Sequence, residues 1–187
     1  MVKLDIGCGP NKNAGYIGID AMEFPGVDVV MNVVEKRVLI DQDGHKSEEY
    51  VRWPYDDGSV EHIHTSHFVE HLTREEWVPF FNEAYRVLKD GGTMYVVTPH
   101  FTHACAYGDP THKSFLSEWV ANYLNKAWRT ANAPHTGYTC DFDFTTACSF
   151  DPWLATKHSD VQLFAVQRYT NSMRDLIMNL VKRPATP

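Results

Sequence analysis

Leu4-Asp5-Ile6-Gly7-Cys8-Gly9-Pro10, followed by Tyr16-Ile17-Gly18-Ile19-Asp20, decides how this chain is read. Val2 to Ile6 is a short apolar run that breaks at a glycine-rich loop, the pattern of a buried strand ending in a tight turn. Glycine at positions 7 and 9 permits backbone angles and close approaches that side chains block. Asn11 to Gly15 is turn chemistry, too short and polar for a long helix. A dinucleotide loop would want a third glycine at position 12, where Lys12 stands. The loop therefore suits a ligand without phosphates, although a plain tight turn gives the same glycines. Asp20 closes the next strand, where a carboxylate can accept hydrogen bonds from both hydroxyls of a ribose.

Working outward, Val27 to Met31 reads as a third strand, and all three are nearly continuous in apolar character, as in a parallel sheet. Residues 35–52 break the pattern and predict a hairpin insertion on the edge of that sheet, turning at Asp43-Gly44. A fourth strand falls around Glu61 to Thr65. Thr73-Arg74-Glu75-Glu76 is a helix start, with apolar residues from Trp77 to Leu88 at helical spacing and a glycine stop at Gly91-Gly92. Pro79 is awkward within it. Thr93 to Thr98 predicts a fifth strand, Ser114 to Trp128 a helix beginning, residues 129–141 a loop, Phe142 to Phe150 a strand and Asp175 to Lys182 the last strand. Residues 151–168 stay ambiguous. With no repeat or linker, residues 1–187 are expected to form a single domain.

Four segments in order resemble class I S-adenosylmethionine (SAM) dependent methyltransferases. They are Leu4 to Pro10, Asp56-Asp57-Gly58-Ser59-Val60, Phe68-Val69-Glu70-His71-Leu72, and Arg86-Val87-Leu88-Lys89-Asp90-Gly91-Gly92. The short loop between Gly9 and Tyr16 resembles a small type-11-like subgroup that lacks the usual long first helix. Glu61 and Asp90 depart from the family's usual Asp and Pro, and Asn32 stands where an acid near the adenine is common.

The resemblance implies a Rossmann-like α/β sandwich: a mostly parallel seven-stranded sheet, helices on both faces and one antiparallel strand. It implies SAM as cofactor, held by Asp5, Gly7, Cys8, Gly9, Asp20, Ala21, Asn32, Ser66 and His67. Asp20 would take the ribose, and Asp5 would order the loop or reach the methionine amino group through water.

Ten histidines are unusual for this length. His62 and His64 share one face of a strand, a spacing that suits a metal or plain sheet hydrogen bonding. His71 is expected to shape the loop before the helix. His100, His103 and His112 follow the fifth strand, at the edge where open α/β sheets bind ligands. Gly108-Asp109-Pro110-Thr111-His112 resembles a segment of related small methyltransferases near the acceptor. An imidazole there suits proton removal near neutral pH, so His112, His67 and Asp109 are the expected catalytic residues. His100, His103 and Tyr107 are expected to contact the acceptor. Asp109 capping a turn over a packed His112 is the plainer alternative. A zinc or iron site from His67, His100, His103 and His112 lacks a supporting helix motif, so no metal is assigned.

Acidic residues exceed basic ones by 24 to 17, giving a net charge of −7. That disfavours a nucleic-acid acceptor, which needs clustered basic residues. No apolar run approaches the ~20 residues of a membrane span. The N-terminus shows no signal-peptide pattern, and the four cysteines show no CxxC pair. The expectation is a cytoplasmic enzyme, a SAM-dependent methyltransferase acting on a small molecule or a glycan- or metabolite-linked group. Neither nucleic acid nor membrane is expected as a partner; a homodimer is. The alternatives are a SAM- or SAH-binding regulator without transferase activity and a His-rich metalloenzyme on the same fold. Trp119 and Tyr123 are expected in the core, with Trp53, Tyr107 and Trp153 in loops.

Overall fold

The computed structural model describes residues 1–184. Apolar residues along its strands build one main sheet and leave a second, two-stranded one apart. The elements in chain order are β1 (Val2–Ile6), β2 (Ile17–Asp20), β3 (Val29–Val30), β4 (Lys36–Ile40), β5 (Lys46–Tyr50), β6 (Val60–Ser66), α1 (Arg74–Val87) and β7 (Leu88–Pro99). Then follow α2 (Ala104–Gly108), α3 (Val120–Tyr123), α4 (Lys126–Asn132), β8 (Phe142–Phe150), α5 (Pro152–Ala155), α6 (Ser159–Val166) and β9 (Met173–Lys182). Among the described residues the main sheet has seven strands in the order β3-β2-β1-β6-β7-β9-β8. β9 runs antiparallel to both its neighbours, and the other pairs are parallel. The fold is the Rossmann-like α/β class expected. Strand order reverses between β1 and β6, and ligands of open sheets bind in the crevice at such a switch point.

One row of the register runs Leu4, Ile63, Met94 and Leu180, and the next on the same face runs Ile6, Thr65, Val96 and Met178. All are buried. Against them α1 sets Trp77, Phe80, Phe81 and Ala84. Each buried phenylalanine there contributes roughly 1.5–3 kcal/mol of transfer free energy. Thr73 caps α1 as expected: Thr73 Oγ1 accepts from Glu76 N–H at 3.3 Å, and Glu76 Oε2 accepts from Thr73 N–H at 2.7 Å. Pro79 lies inside the helix and does not end it.

The opposite face carries Asp5, His64, Tyr95, Asn179 and Thr145 across one row. Asn179 and Thr145 are exposed there, and His64 and Tyr95 half-buried. The helical cover expected on both faces therefore closes only one of them among the described residues.

Several local expectations are corrected. Residues 36–50 form a hairpin whose turn includes Gly44 at φ +84°, but it makes a separate two-stranded sheet and does not extend the main one. The glycine stop is displaced: α1 passes directly into β7 at Leu88, and Gly91 (φ +72°) sits in an irregularity where Val60 pairs Leu88 but His62 pairs Thr93. The single helix from Ser114 is two short ones, because Asn125 caps a new start at Lys126. The helix then runs to Asn132, inside the stretch expected to be a loop. Residues 151–168 resolve into α5 and α6. Trp119 is exposed and not core, whereas Trp53 is buried with its indole N–H on the Val33 carbonyl at 3.0 Å. No helix of the described residues is long and apolar enough to cross a membrane.

Candidate functional site

The carboxyl ends of β1, β2, β6 and β7 bring most of the expected site residues to one edge of the sheet. Gly7 and Gly9 turn with φ of +67° and +52°. A Cβ on Gly7 would lie 2.5 Å from the Phe68 ring, whereas one on Gly9 would meet nothing within 4 Å. The loop's open backbone therefore faces outward at Gly9.

Two acids hold this loop. Asp20 Oδ2 accepts from Gly9 N–H at 2.9 Å, and its Oδ1 from Met22 N–H at 2.9 Å. Asp5, buried, accepts from Asn13 N–H at 2.7 Å and from Asn13 Nδ2 at 3.1 Å on Oδ2. Its Oδ1 lies 2.8 Å from His64 Nδ1. Sequence reasoning missed Asn13, His64, Lys12 and Asp28 as loop anchors. Lys12 Nζ donates to Asp28 Oδ2 at 2.8 Å, which also accepts from Gly18 N–H at 2.7 Å. The Lys12 hydrogen bond and then the Gly18 N–H hold the Asp28 carboxyl below its ordinary range. Cys8 is half-buried; burial, then Asp5 and Asp20, push its thiol up.

A cavity of about 20 Å³ lies beside this loop, lined by Gly7, Ile19, Asp20, Ala21, Asn32 and Phe68 among others. Asn32 Oδ1 accepts from Val34 N–H at 3.1 Å. The volume is far below the ~300 Å³ of ordinary small-molecule sites, and the Phe68 ring is the wall over Gly7. A much larger hollow, about 1360 Å³, lies elsewhere, between the β4–β5 hairpin and α1, lined by Glu35, Arg37, Glu49, Arg52, Glu83 and Arg86 among others. It reaches Ala21 and Asn32 at one end but not the glycine loop. We take the small cavity as the chemical centre, because the constrained glycines and the acid-ended strand meet there.

Beyond Ser66, which ends β6 half-buried, His67 takes a left-handed φ of +52° with its N–H on the Val97 carbonyl at 2.9 Å. His67 Nδ1 is 3.3 Å from Glu70 Oε1, and its Nε2 3.8 Å from Asp175 Oδ1. Glu70 above all, against the opposing effect of burial, raises the His67 pKa. His112 Nε2 stands 4.0 Å from Glu70 Oε1 and 4.0 Å from Asp109 Oδ2. Asp109 Oδ1 caps a turn, accepting from Thr111 N–H at 2.8 Å and Thr111 Oγ1 at 2.6 Å. The turn and the approach to His112 thus coexist.

The remaining loop residues part company. His100 is fully buried: Thr102 N–H donates to its Nδ1 at 3.3 Å, and its Nε2 lies 3.4 Å from Glu118 Oε2. His103 caps α2, Nδ1 accepting from Cys105 N–H at 3.1 Å. Tyr107 is exposed and stacks on Phe115 at 4.3 Å between ring centroids. Glu70, which belongs to the Phe68–Leu72 motif, is the residue that joins His67, His112 and Thr98.

A methyltransferase-domain family model matches residues 4–96. The chain belongs to the class I methyltransferases, in the type-11 group. The methyl donor of that family is SAM. No curated protein matches the chain. Among solved structures it is similar to a SAM-dependent methyltransferase from Archaeoglobus fulgidus, with 17% identity and a TM-score of 0.56 over 96% of this chain and 85% of that one. A chain in the complex between the Haloferax volcanii Trm112 methyltransferase activator and the putative methyltransferase matches at 15% identity and TM-score 0.55. That match covers 100% of this chain and 83% of that one. A possible histamine N-methyltransferase from Thermotoga maritima gives 14%, TM-score 0.55, and 97% and 82% coverage. At such identities these likenesses establish the fold.

Proposed function

We propose that this protein transfers a methyl group from SAM to a small molecule, or to a group carried on a glycan or other metabolite. The observation that carries the reading is the Gly7–Gly9 turn pinned to Asp20, with open space over Gly9. An ionised carboxylate offers about four lone-pair sites, and the chain's own N–H groups take one on each Asp20 oxygen. The rest are free for ribose hydroxyls. The residues therefore fit the cofactor, with Cys8, Ala21, Asn32 and Ser66 around it. The Phe68 ring, which walls the small cavity over Gly7, would have to turn aside to admit it.

SAM supplies an electrophilic methyl on a sulfonium, and the chain supplies position, a dry pocket and proton removal. Asp5 fixes the loop through Asn13. His67 and His112, beside Glu70 and Asp109, stand ready to take a proton from an oxygen or nitrogen acceptor. His103 and Tyr107 contact the acceptor at the rim, and His100, buried beneath, is a positioning residue. The apolar rim residues Phe101, Tyr107 and Phe115 favour a compact, partly apolar acceptor, and the net charge of −7 disfavours a polyanion.

Titration calorimetry with SAM and with SAH tests the reading. Asp20→Ala is expected to weaken both by about tenfold or more, the worth of ~1.5–3 kcal/mol of charged hydrogen bonding. Absence of binding by wild type to either ligand overturns it.

A further inference from the structure

Beside α2, a buried carboxylate and two imidazoles bring potential ligand atoms within 4.8 Å of one another. Glu70 is buried, 2% exposed. Its Oε2 accepts from Thr98 Oγ1 at 3.0 Å, and its Oε1 has no hydrogen-bond partner among the described residues. His67 Nδ1 is near that oxygen but out of alignment for a bond. His112 Nε2 lies 4.0 Å from it. The tautomer of His112 follows from its other nitrogen: Nδ1 is 2.9 Å from the Ala106 carbonyl, which only accepts, so Nδ1 carries the hydrogen and Nε2 a bare lone pair.

His71 follows the same logic. Thr111 Oγ1 donates its proton to Asp109 Oδ1, so its hydroxyl at 3.1 Å and its carbonyl at 3.3 Å are both acceptors for His71 Nδ1–H. That leaves His71 Nε2 bare as well. The two imidazole rings meet edge to face at 4.8 Å, and ligand atoms of Glu70, His71 and His112 lie within 4.8 Å of one another.

A buried acceptor left without a donor costs ~1–3 kcal/mol, and converging lone pairs repel until a cation stands between them. Imidazole and carboxylate are zinc-type ligands at ~2.0–2.2 Å in tetrahedral array, which sets ligand atoms ~3.3–3.6 Å apart, so Nε2 and Oε1, now at 4.0 Å, need to close by only about 0.5 Å to share an ion. Anchoring Nδ1–H on an oxygen is the usual way a metal-binding imidazole is oriented. We propose that Glu70, His71 and His112 bind a divalent cation of the zinc type, with Asp109 on its solvent side. Three protein ligands leave a position open. With the cation bound, His112 Nε2 is a ligand, and His67 is the imidazole left to take a proton.

Two other clusters lack this signature. His100, Glu118 and Cys148 converge, but Cys148 Sγ and His100 Nε2 both bond to Glu118. Asp41, Asp43 and His45 are exposed at the hairpin tip.

The test uses untagged full-length protein, stripped with EDTA and dialysed against Zn²⁺ or Co²⁺ alone, with bound metal counted by mass spectrometry. Wild type is expected to retain one equivalent and, with Co²⁺, to show visible d–d bands. Glu70→Gln and His112→Gln are expected to lose affinity by about tenfold or more, while His45→Gln keeps it. No retained metal in wild type, or equal retention in Glu70→Gln, overturns the proposal. Should the variants fail to fold, Zn²⁺ protection of His71 and His112 in wild type from diethyl pyrocarbonate decides, and equal labelling with and without Zn²⁺ overturns it. SAM calorimetry on the stripped protein separates the two readings: SAM binding without metal uptake removes only this one, and metal uptake without SAM binding removes only the methyltransferase one.

Discussion

On the β2 side of the sheet edge the carboxylates are already occupied by the chain. Asp20 takes Gly9 and Met22 N–H groups, and Asp5 takes Asn13 and faces His64. On the β7 side Glu70, the most deeply buried of the three, has one oxygen on Thr98, while the other faces His67 at 3.3 Å and makes no hydrogen bond among the described residues. The first region is shaped before any ligand arrives, so a ligand there meets a formed surface. The second leaves a buried acceptor without a hydrogen bond, which a bound cation relieves. Preorganisation and unsatisfied burial are different ways of building a site, and removing a carboxylate has opposite consequences in the two.

Removing the satisfied acid is expected to be the most damaging change. Asp5→Ala leaves Asn13 N–H and the His64 ring without their partner next to the core, and should cost about 3 kcal/mol in urea unfolding. Next comes Gly7→Ala, where a left-handed φ and the Phe68 ring 2.5 Å from the new Cβ together cost ~1–3 kcal/mol. Gly9→Ala has the same backbone penalty and no clash, so it should be milder in stability. By contrast Glu70→Gln keeps an acceptor for Thr98 and removes a buried charge, so in metal-free protein it should change stability by less than ~1 kcal/mol. If Glu70→Gln proves as costly as Asp5→Ala, the contrast between the two regions is wrong.

The same contrast explains what could be read from the sequence. The β2-side site is built from residues 5–28, and its glycines, its acid-ended strand and its missing helix were visible as a local pattern. Even there the partners Asn13, Lys12 and Asp28 went unread, because turn residues reveal their bonds only once the turn is closed. The β7-side site joins Glu70 to His112 and Thr98, residues separated by 42 and 28 positions, through the pairing of β6 with β7. Spacing along the chain holds no record of that meeting, so the histidines were grouped with one another and not with Glu70. The sheet followed from nearly continuous apolar strand runs and family order. The short helices after Ser114 did not, since each is set by one cap, such as Asn125 or Asp151, and by packing rather than periodicity.

The smallest expected effect concerns an imidazole on the open sheet face, opposite Lys3 and two residues before His64. Burial, then His64 and Lys3, lower the His62 pKa below its ordinary value, and its Nδ1 lies 2.6 Å from Thr93 Oγ1. Its folded pKa is below the unfolded one, near 6.5. As pH falls through about 6.5 the unfolded chain takes the proton first, so stability declines with acid until the folded ring protonates too. At higher pH the group contributes no slope. His62→Gln should flatten that decline by well under ~1 kcal/mol, since the site is partly exposed and screened. Thermal melts of both proteins between pH 7.5 and pH 5 at fixed salt, on a ~0.5-unit grid, measure the difference. An acid decline equally steep in the variant would mean that the β2 side keeps its stability by means other than neutral, paired groups.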